Sequence, residues 1–234
     1  MFRTPAAVLT AAVTLITVTP VGFAQSTSDD SSSGTTSSGT TPFDTPPANS
    51  ELAVDDAFDG AITDADWITN AGEWTVDGGV LIGKELDRDH HPAAARRKVE
   101  TANAAYQLQF KLADDTRLFH VGFDPAKGEL DKKGHLFSVV VSSKSITLMR
   151  HRDKRPEKKD RNETLSKIET PIASNQWHRL RITTWGKYVT VFLNDQKLTG
   201  EHPSFAIKKP TVVFRVAGGP VEIDQLKVWK QAGR

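Results

Sequence analysis

The sequence predicts an all-β domain of the sandwich or jelly-roll class, and three observations carry that prediction. Apolar and polar residues alternate with a period of two along most of the chain from Glu51 onward, which is typical of strands buried on one face. Turn-forming residues separate these runs at short intervals. No stretch shows the helical stripe that would supply the crossover helices of a parallel α/β sheet.

The individual strands follow from this alternation. In residues 74–82, two short runs flank Asp77-Gly78-Gly79, and Asp-Gly favours the positive φ angles of a tight hairpin turn. In residues 106–112, Tyr, Leu, Phe and Leu alternate with Gln, Gln and Lys, so one face should be buried and the other exposed. Further strands are predicted at residues 118–123, 136–141, 145–149, 178–184, 189–193, 211–216 and 221–229.

The first fifty residues precede the predicted domain. Residues 1–24 have the pattern of a cleavable export signal, with Arg3 ahead of an apolar run at 6–18 and small residues at the end. Threonines interrupt that run before the roughly 20 apolar residues that a membrane span needs, so no stable insertion is expected after cleavage. Residues 25–50 are rich in Ser, Thr, Gly and Pro and are predicted to be a disordered linker. The domain then occupies residues 51–234, in a periplasmic or secreted protein.

Composition excludes several classes of function. The formal net charge is +1, so the concentrated basic face of a nucleic-acid binder is not expected. The chain has no cysteine, which excludes disulfides, thiolate metal sites and cysteine nucleophiles. Residues 150–161 are rich in Lys and Arg, but interspersed acids and the lack of aromatic residues favour a solvated hairpin loop.

The segment with the most candidate chemistry is Gly83–Lys98, which contains Glu85, Asp89, His91 and Arg96. An imidazole beside a carboxylate can transfer protons, and the two groups together could hold a divalent metal ion. No set of metal ligands can be assigned, so the cofactor stays open. A solvated surface loop is the alternative interpretation of this segment.

Two histidines and one tryptophan complete the candidates. His120 and His135 can each be explained by a structural hydrogen bond, but His135 follows the turn at 132–134, which could bring it to the rim of a site. Trp185 precedes the turn at 186–188 and is a candidate for stacking on a sugar ring. Packing in the core is the alternative for Trp185, as for the other tryptophans.

Four segments carry recognisable strand-and-turn motifs. They are GEWTVDGGVL at 72–81, NQWHRLRI at 175–182, VFLNDQKL at 191–198 and VEIDQLKVW at 221–229. Together they resemble the 3-keto-disaccharide hydrolase domain, a family of the concanavalin A-like lectin and glucanase superfamily, over most of residues 52–230. The resemblance implies a jelly roll exported by bacteria, a carbohydrate partner and, in the enzymatic members, cleavage of glycosidic bonds in sugars oxidised at carbon 3.

Such cleavage requires a base, an acid and a group that stabilises an oxyanion. The ketone acidifies the neighbouring C–H, a base removes that proton, and the glycosidic oxygen leaves before water adds. The candidate catalytic residues are Glu85, His91 and His135 as base or acid and Arg96 as the group that stabilises the enolate. The candidate substrate-binding residues are Asp89 and Trp185.

Family 16 glucanases of the same superfamily carry Glu-x-Asp-x-x-Glu on one strand. The nearest match here begins at Glu222 and ends in Lys227, so retaining hydrolysis by two carboxylates is not expected. Glu222 and Asp224 are predicted to be outward-facing strand and turn residues. The alternation also slips in phase in this strand, which predicts a β-bulge near Asp224 or Gln225.

Two functions from different classes remain open. The first is an enzyme that cleaves keto-glycosides, which would gather acid, base and cationic side chains in one pocket. The second is a non-catalytic carbohydrate-binding or surface-interaction module, which would present an exposed aromatic platform.

Overall fold

The computed structural model describes residues 41–231. The predicted export signal and most of the predicted linker lie outside these residues. Within them no helix has the length and hydrophobicity to cross a membrane. The fifteen strands are β1 Ser50–Asp56, β2 Trp67–Ala71, β3 Glu73–Asp77, β4 Val80–Lys84, β5 Ala93–Thr101, β6 Ala104–Leu112, β7 Thr116–Phe123, β8 Phe137–Ser142, β9 Ser145–Arg150, β10 Glu163–Glu169, β11 Trp177–Trp185, β12 Tyr188–Leu193, β13 Gln196–Glu201, β14 Lys209–Gly218 and β15 Val221–Gln231. Short 3₁₀ turns at Asp87–Asp89, Pro156–Lys158 and Pro203–Ala206 are the helical elements of this part of the chain.

The strands form two sheets in which every pairing is antiparallel. One sheet has eight strands in the order β13-β12-β11-β6-β15-β4-β3, with β1 also paired to β15. The other has seven strands in the order β10-β9-β8-β7-β14-β5-β2. The predicted all-β sandwich is therefore confirmed.

The inner faces of the two sheets meet in one core of aliphatic and aromatic side chains. Tyr106 and Phe110 of the eight-stranded sheet face Phe123 and Phe119 of the seven-stranded sheet, with ring centroids 4.7 and 5.1 Å apart. Each of these rings is almost fully buried, and burial of a large apolar side chain contributes about 1.5–3 kcal/mol. Packing of this kind stabilises the fold in a chain that has no cysteine.

Two local predictions are confirmed. The hairpin between β3 and β4 turns at Gly78 and Gly79, whose φ angles of 57° and 77° match the turn that Asp-Gly favours. The register of β15 against β6 shifts between Asp224 and Lys227, and Gln225 has a φ of 52°, so the bulge lies where the phase slips.

The interpretation of Gly83–Lys98 as one loop is wrong, because its second half is part of β5. This strand pairs with β14 on one side and β2 on the other. Its sequence begins with three alanines followed by Arg-Arg-Lys, which lack the β-branched side chains typical of strands. The alanines suit the position because Ala95 lies opposite the large ring of Phe214.

Four other strands also escaped prediction: β1, β2, β10 and β13. Three of them, β2, β10 and β13, end a row of strands in their sheets. Edge strands carry polar residues that discourage pairing with other chains, and this blurs the alternation that identifies a strand.

Residues 41–49, predicted to be part of the linker, pack against the outer face of the eight-stranded sheet. Phe43 is 7% exposed, and the guanidinium of Arg179 lies 4.4 Å from its ring centroid. Arg181 donates a hydrogen bond to the carbonyl oxygen of Thr45 at 2.8 Å. The packed part of the chain therefore begins before Glu51, because the ring of Phe43 is buried against the sheet.

Candidate functional site

A groove of about 720 Å³ lies on the outer face of the seven-stranded sheet. Strands β2, β5 and β14 contribute its floor, and the loops at 124–136 and 151–162 contribute a wall. Its ionisable lining residues are His91, Arg96, Asp124, Lys132, Lys133, His135, Lys154 and Arg215. A cavity of this volume is within the range of small-ligand sites.

The floor follows from the period of two along the strands. Val212, Phe214 and Val216 of β14 belong to the core, so Arg215 points to the outer face. The sheet register places Arg215 opposite Ala94 of β5 and His120 of β7. Arg96 lies two residues further along β5 than Ala94 and therefore on the same face. The two arginines therefore share one face of the sheet although they are far apart in the sequence.

Asp124 and His135 meet at the end of the β7–β8 hairpin. The strands pair at Phe123 and Phe137, so the loop between them leaves and returns at the same edge of the sheet. The Nδ1 atom of His135 lies 2.5 Å from the Oδ1 atom of Asp124. The Nε atom of Arg96 donates to the other carboxylate oxygen at 3.1 Å. These contacts join three side chains into one acid–base unit.

The charge of Asp124 decides which nitrogen of His135 carries a proton. Burial would raise the pKa of Asp124, but the hydrogen bonds from His135 and Arg96 outweigh burial and leave that pKa below its ordinary value. An ionised carboxylate can only accept, so Nδ1 of His135 donates. In the neutral ring Nε2 then has the lone pair, which is the form that acts as a general base.

Arg215 is a cationic side chain that has no acidic group in direct contact with it. It forms no ion pair within residues 41–231, and its Nε atom is buried without a hydrogen-bond partner. Burial, with the nearby charge of Arg96, lowers its pKa from the ordinary value. Its Nη2 atom lies 3.5 Å from Nε2 of His91, which is a long side-chain contact. Nδ1 of His91 lies 2.6 Å from the carbonyl oxygen of Pro92, which only a protonated nitrogen can approach so closely.

Two further histidines lie beside the groove. Burial lowers the pKa of His120 to about 4, and the charges of Arg215 and His135 add to the effect. Burial also lowers the pKa of His151 to about 3, with contributions from His135 and His120. His151 is held by Ser138, whose Oγ lies 2.8 Å from Nε2. Both rings are therefore neutral at neutral pH.

These lowered pKa values predict a loss of stability in acid. Below the ordinary histidine pKa of about 6.5, the unfolded chain binds protons that folded His120 and His151 do not, so the free energy of unfolding falls as the pH falls. For His120 alone we expect a loss of roughly 3 kcal/mol between pH 7 and pH 4. Urea unfolding at both pH values measures it, and H120Q should show a smaller loss, whereas H90N, a change at an exposed histidine, should not differ from the wild type. An H120Q protein with the full acid sensitivity would contradict the assignment.

The structure brings His91, Arg96 and His135 together in the groove, but not the other predicted site residues. Glu85 accepts hydrogen bonds from the Gly218 N–H at 2.6 Å and from Arg117 at 2.8 Å, and the bond from Gly218 does most to lower its pKa.

Asp89 and Trp185 also lie outside the groove. Asp89 accepts a hydrogen bond from the Gly72 N–H at 2.6 Å, which ties the 3₁₀ turn at Asp87–Asp89 to the start of β3. Trp185 lies on the eight-stranded sheet opposite Tyr188, and these side chains are 49% and 51% exposed. Trp185 is exposed as the turn predicts, but on the other side of the sandwich.

The nearest match to the glucanase motif, which begins at Glu222, lies outside the groove. Glu222 lies on β15 in the eight-stranded sheet and forms an ion pair with Lys111 at 2.6 Å. Among the lining residues Asp124 is the one carboxylate. In the part of the chain that the structure describes, no group of three or more His, Asp or Glu side chains is arranged to hold a metal ion.

Comparison with solved structures identifies shared folds. The carbohydrate-binding module CBM66 of Bacillus subtilis superposes with a TM-score of 0.56 at 13% identity, over 69% of this chain and 93% of that one. The family 16 endo-β-1,3(4)-glucanase SCLam gives 0.57 at 12%, over 80% and 94%. Porphyranase B of Zobellia galactanivorans gives 0.56 at 12%, over 77% and 92%. The chain therefore has a jelly-roll β-sandwich fold, as predicted.

No protein-family model and no curated protein matches the sequence. Membership of the 3-keto-disaccharide hydrolase family therefore stays a prediction. Because a shared fold does not determine activity, the side chains of the groove are the evidence for the chemistry of this chain.

Proposed function

We propose that this chain is an exported carbohydrate-active domain that binds a saccharide in the groove and cleaves a glycosidic bond by elimination, as the resemblance to 3-keto-disaccharide hydrolases implies. One observation carries the proposal. The Asp124–His135 pair supplies an oriented base beside two guanidinium groups, Arg96 and Arg215, in a single groove. A two-carboxylate mechanism would need a second carboxyl group, and Asp124 is the one carboxylate that lines the groove.

The reaction can be followed bond by bond. The Nε2 atom of His135 takes the proton from carbon 2 of a 3-keto sugar, and the electron pair becomes an enolate stabilised by Arg96. The enolate then expels the glycosidic oxygen from carbon 1, which leaves a double bond between carbons 1 and 2. The protonated His135 returns this proton to the leaving oxygen. Water then adds its hydroxyl to carbon 1 and its hydrogen to carbon 2.

Solvent isotope incorporation tests this route. The purified protein is incubated in D₂O with a 3-keto-glucoside and, as a chemical control, with the same glucoside without the ketone. Elimination followed by addition should release sugar from the keto substrate alone and place a deuterium on carbon 2. Free 3-keto-glucose kept in D₂O without protein corrects for spontaneous exchange. Equal release from both substrates, or release without deuterium, would contradict elimination.

A second candidate function rests on a separate observation. Trp185 and Tyr188 form an exposed cross-strand aromatic pair on the eight-stranded sheet, and aromatic faces are suited to stacking against sugar rings. A non-catalytic carbohydrate-binding module would use this surface. If W185A abolishes saccharide binding while H135N leaves it unchanged, and no substrate is cleaved, the binding module becomes the better description.

A further inference from the structure

The groove carries an excess of positive charge that the rest of the protein does not neutralise. Five of its lining residues are Lys or Arg, and one is a carboxylate. Of the five, Arg96 alone forms an ion pair within residues 41–231, with Asp124. Across the remainder of the described chain most arginines do find an acidic partner, as Arg150 does with Asp160 at 2.9 Å.

Arg215 is the groove residue at which the excess of positive charge has the largest energetic cost. Its side chain is partly buried in the floor and its Nε atom is covered, so water screens this charge less than it screens a surface lysine. A buried charge without a partner destabilises the folded state unless something pairs with it. The neighbouring Arg96 adds charge of the same sign. An anionic group in the groove would relieve this repulsion, and a guanidinium fits a carboxylate or sulfate in a two-point geometry.

The apolar residues that line the groove also favour a charged ligand. Its non-polar side chains are Ile68, Ala94 and Pro125, and none of its lining residues is Phe, Tyr or Trp. The groove therefore offers no large aromatic side chain on which a neutral sugar ring or a nucleic-acid base could stack. Recognition in this groove must rely on charge and hydrogen bonds.

We propose that the ligand of the groove is an acidic saccharide, whose carboxylate or sulfate group binds to Arg215 while the exposed Lys133 and Lys154 contact further negative charge along the chain. This rests on the proposed function for the saccharide, and adds the class of substrate. The sugar ring that carries the acidic group lies over Ala94, whose small side chain leaves room beside Arg215.

Calorimetric titration of the purified protein tests this proposal. The probes are oligogalacturonate, a sulfated galacto-oligosaccharide, a neutral galacto-oligosaccharide of equal length and single-stranded DNA. The first two distinguish a carboxylate from a sulfate. We expect at least one of them to bind about tenfold or more tightly than the neutral sugar, and to weaken as salt rises.

The variants separate the site from overall charge. R215Q should lose about tenfold or more of the affinity for the acidic saccharide, whereas K197Q, an equal change of charge on the other sheet, should stay within about twofold. Because Arg215 is partly buried, the exposed double variant K133Q/K154Q gives a second reading, with an expected loss of several-fold. Unfolding midpoints check that the variants are folded.

Several outcomes would overturn this inference. They are equal binding of neutral and acidic saccharides, equal effects of R215Q and K197Q, tighter binding of DNA than of any saccharide, and no binding of an acidic saccharide. The proposed function is judged separately, by sugar release. Binding of an acidic saccharide by a protein that releases no sugar from a 3-keto-glucoside would support this inference and contradict elimination. Cleavage of neutral keto-glycosides without any preference for acidic saccharides would support elimination and contradict this inference.

Discussion

Replacing His135 with Asn is expected to reduce the rate of sugar release by roughly 10²–10⁴-fold, the usual contribution of a positioned general base. Asn keeps an N–H group that can donate to Asp124, so the loop should retain its anchor, but it has no nitrogen that accepts a proton at neutral pH. The loss should appear mainly in kcat, because the base acts on the bound sugar. Initial rates of release from a 3-keto-glucoside measure it.

The control is the same substitution at an exposed histidine outside the groove, H90N. His90 has a φ of 46°, a conformation that Asn tolerates well, so this variant should fold and keep the wild-type rate. An H135N protein that is folded and still within about threefold of the wild-type rate would show that another residue abstracts the proton.

Replacing Phe137 with Ala is expected to lower the free energy of unfolding by about 3–5 kcal/mol. Its ring is fully buried, with centroids 4.6 Å from that of Phe123 and 4.5 Å from that of Phe205. Removing it leaves a cavity between a strand pair and the 3₁₀ turn at Pro203–Ala206, and the two remaining rings lose their shared partner. Urea unfolding of the purified variant measures the change.

The matched control is F192A. Phe192 lies on the outer face of the eight-stranded sheet and is only partly buried, so its loss should cost about 1 kcal/mol or less. If F137A and F192A destabilise the protein equally, the aromatic cluster does not have the role in the core that its burial indicates. Phe123 and Phe137 also flank the loop that carries Asp124 and His135, so F137A should weaken that pair as well.

The part of the fold that the sequence predicts is the part in which one face of a strand is apolar. Strands such as β6 and β12 bury alternate side chains in the core, and that burial is what the alternation records. Strand β5 is paired on both sides but consists largely of small and charged residues, because its partner β14 contributes the large ring of Phe214 to the core at this point. That complementarity depends on a pairing between distant segments, which no local pattern reveals.

The residues of the site could likewise be predicted only where a local pattern identifies them. His135 and Arg96 are candidates on residue type and position, and both lie in the groove. Asp124 could not be paired with His135 from the sequence, because β7 ends at Phe123 and the chain turns there toward His135, and no local pattern shows that turn. Arg215 lies within an otherwise apolar run, and only the register of β14 shows that it faces outward.

Strand β14 has a consequence for the order in which the protein can assemble. It lies between β5 and β7, so the two halves of the seven-stranded sheet have no pairing with each other until residues 209–218 are present. A chain still being synthesised, or one truncated before Lys209, would present two unpaired strand edges, which are sites of mispairing and aggregation. Because these pairings join distant segments, closure of the sheet should be slow relative to hairpin formation. We therefore expect the groove to form late in folding, after β14 has paired with β5 and β7.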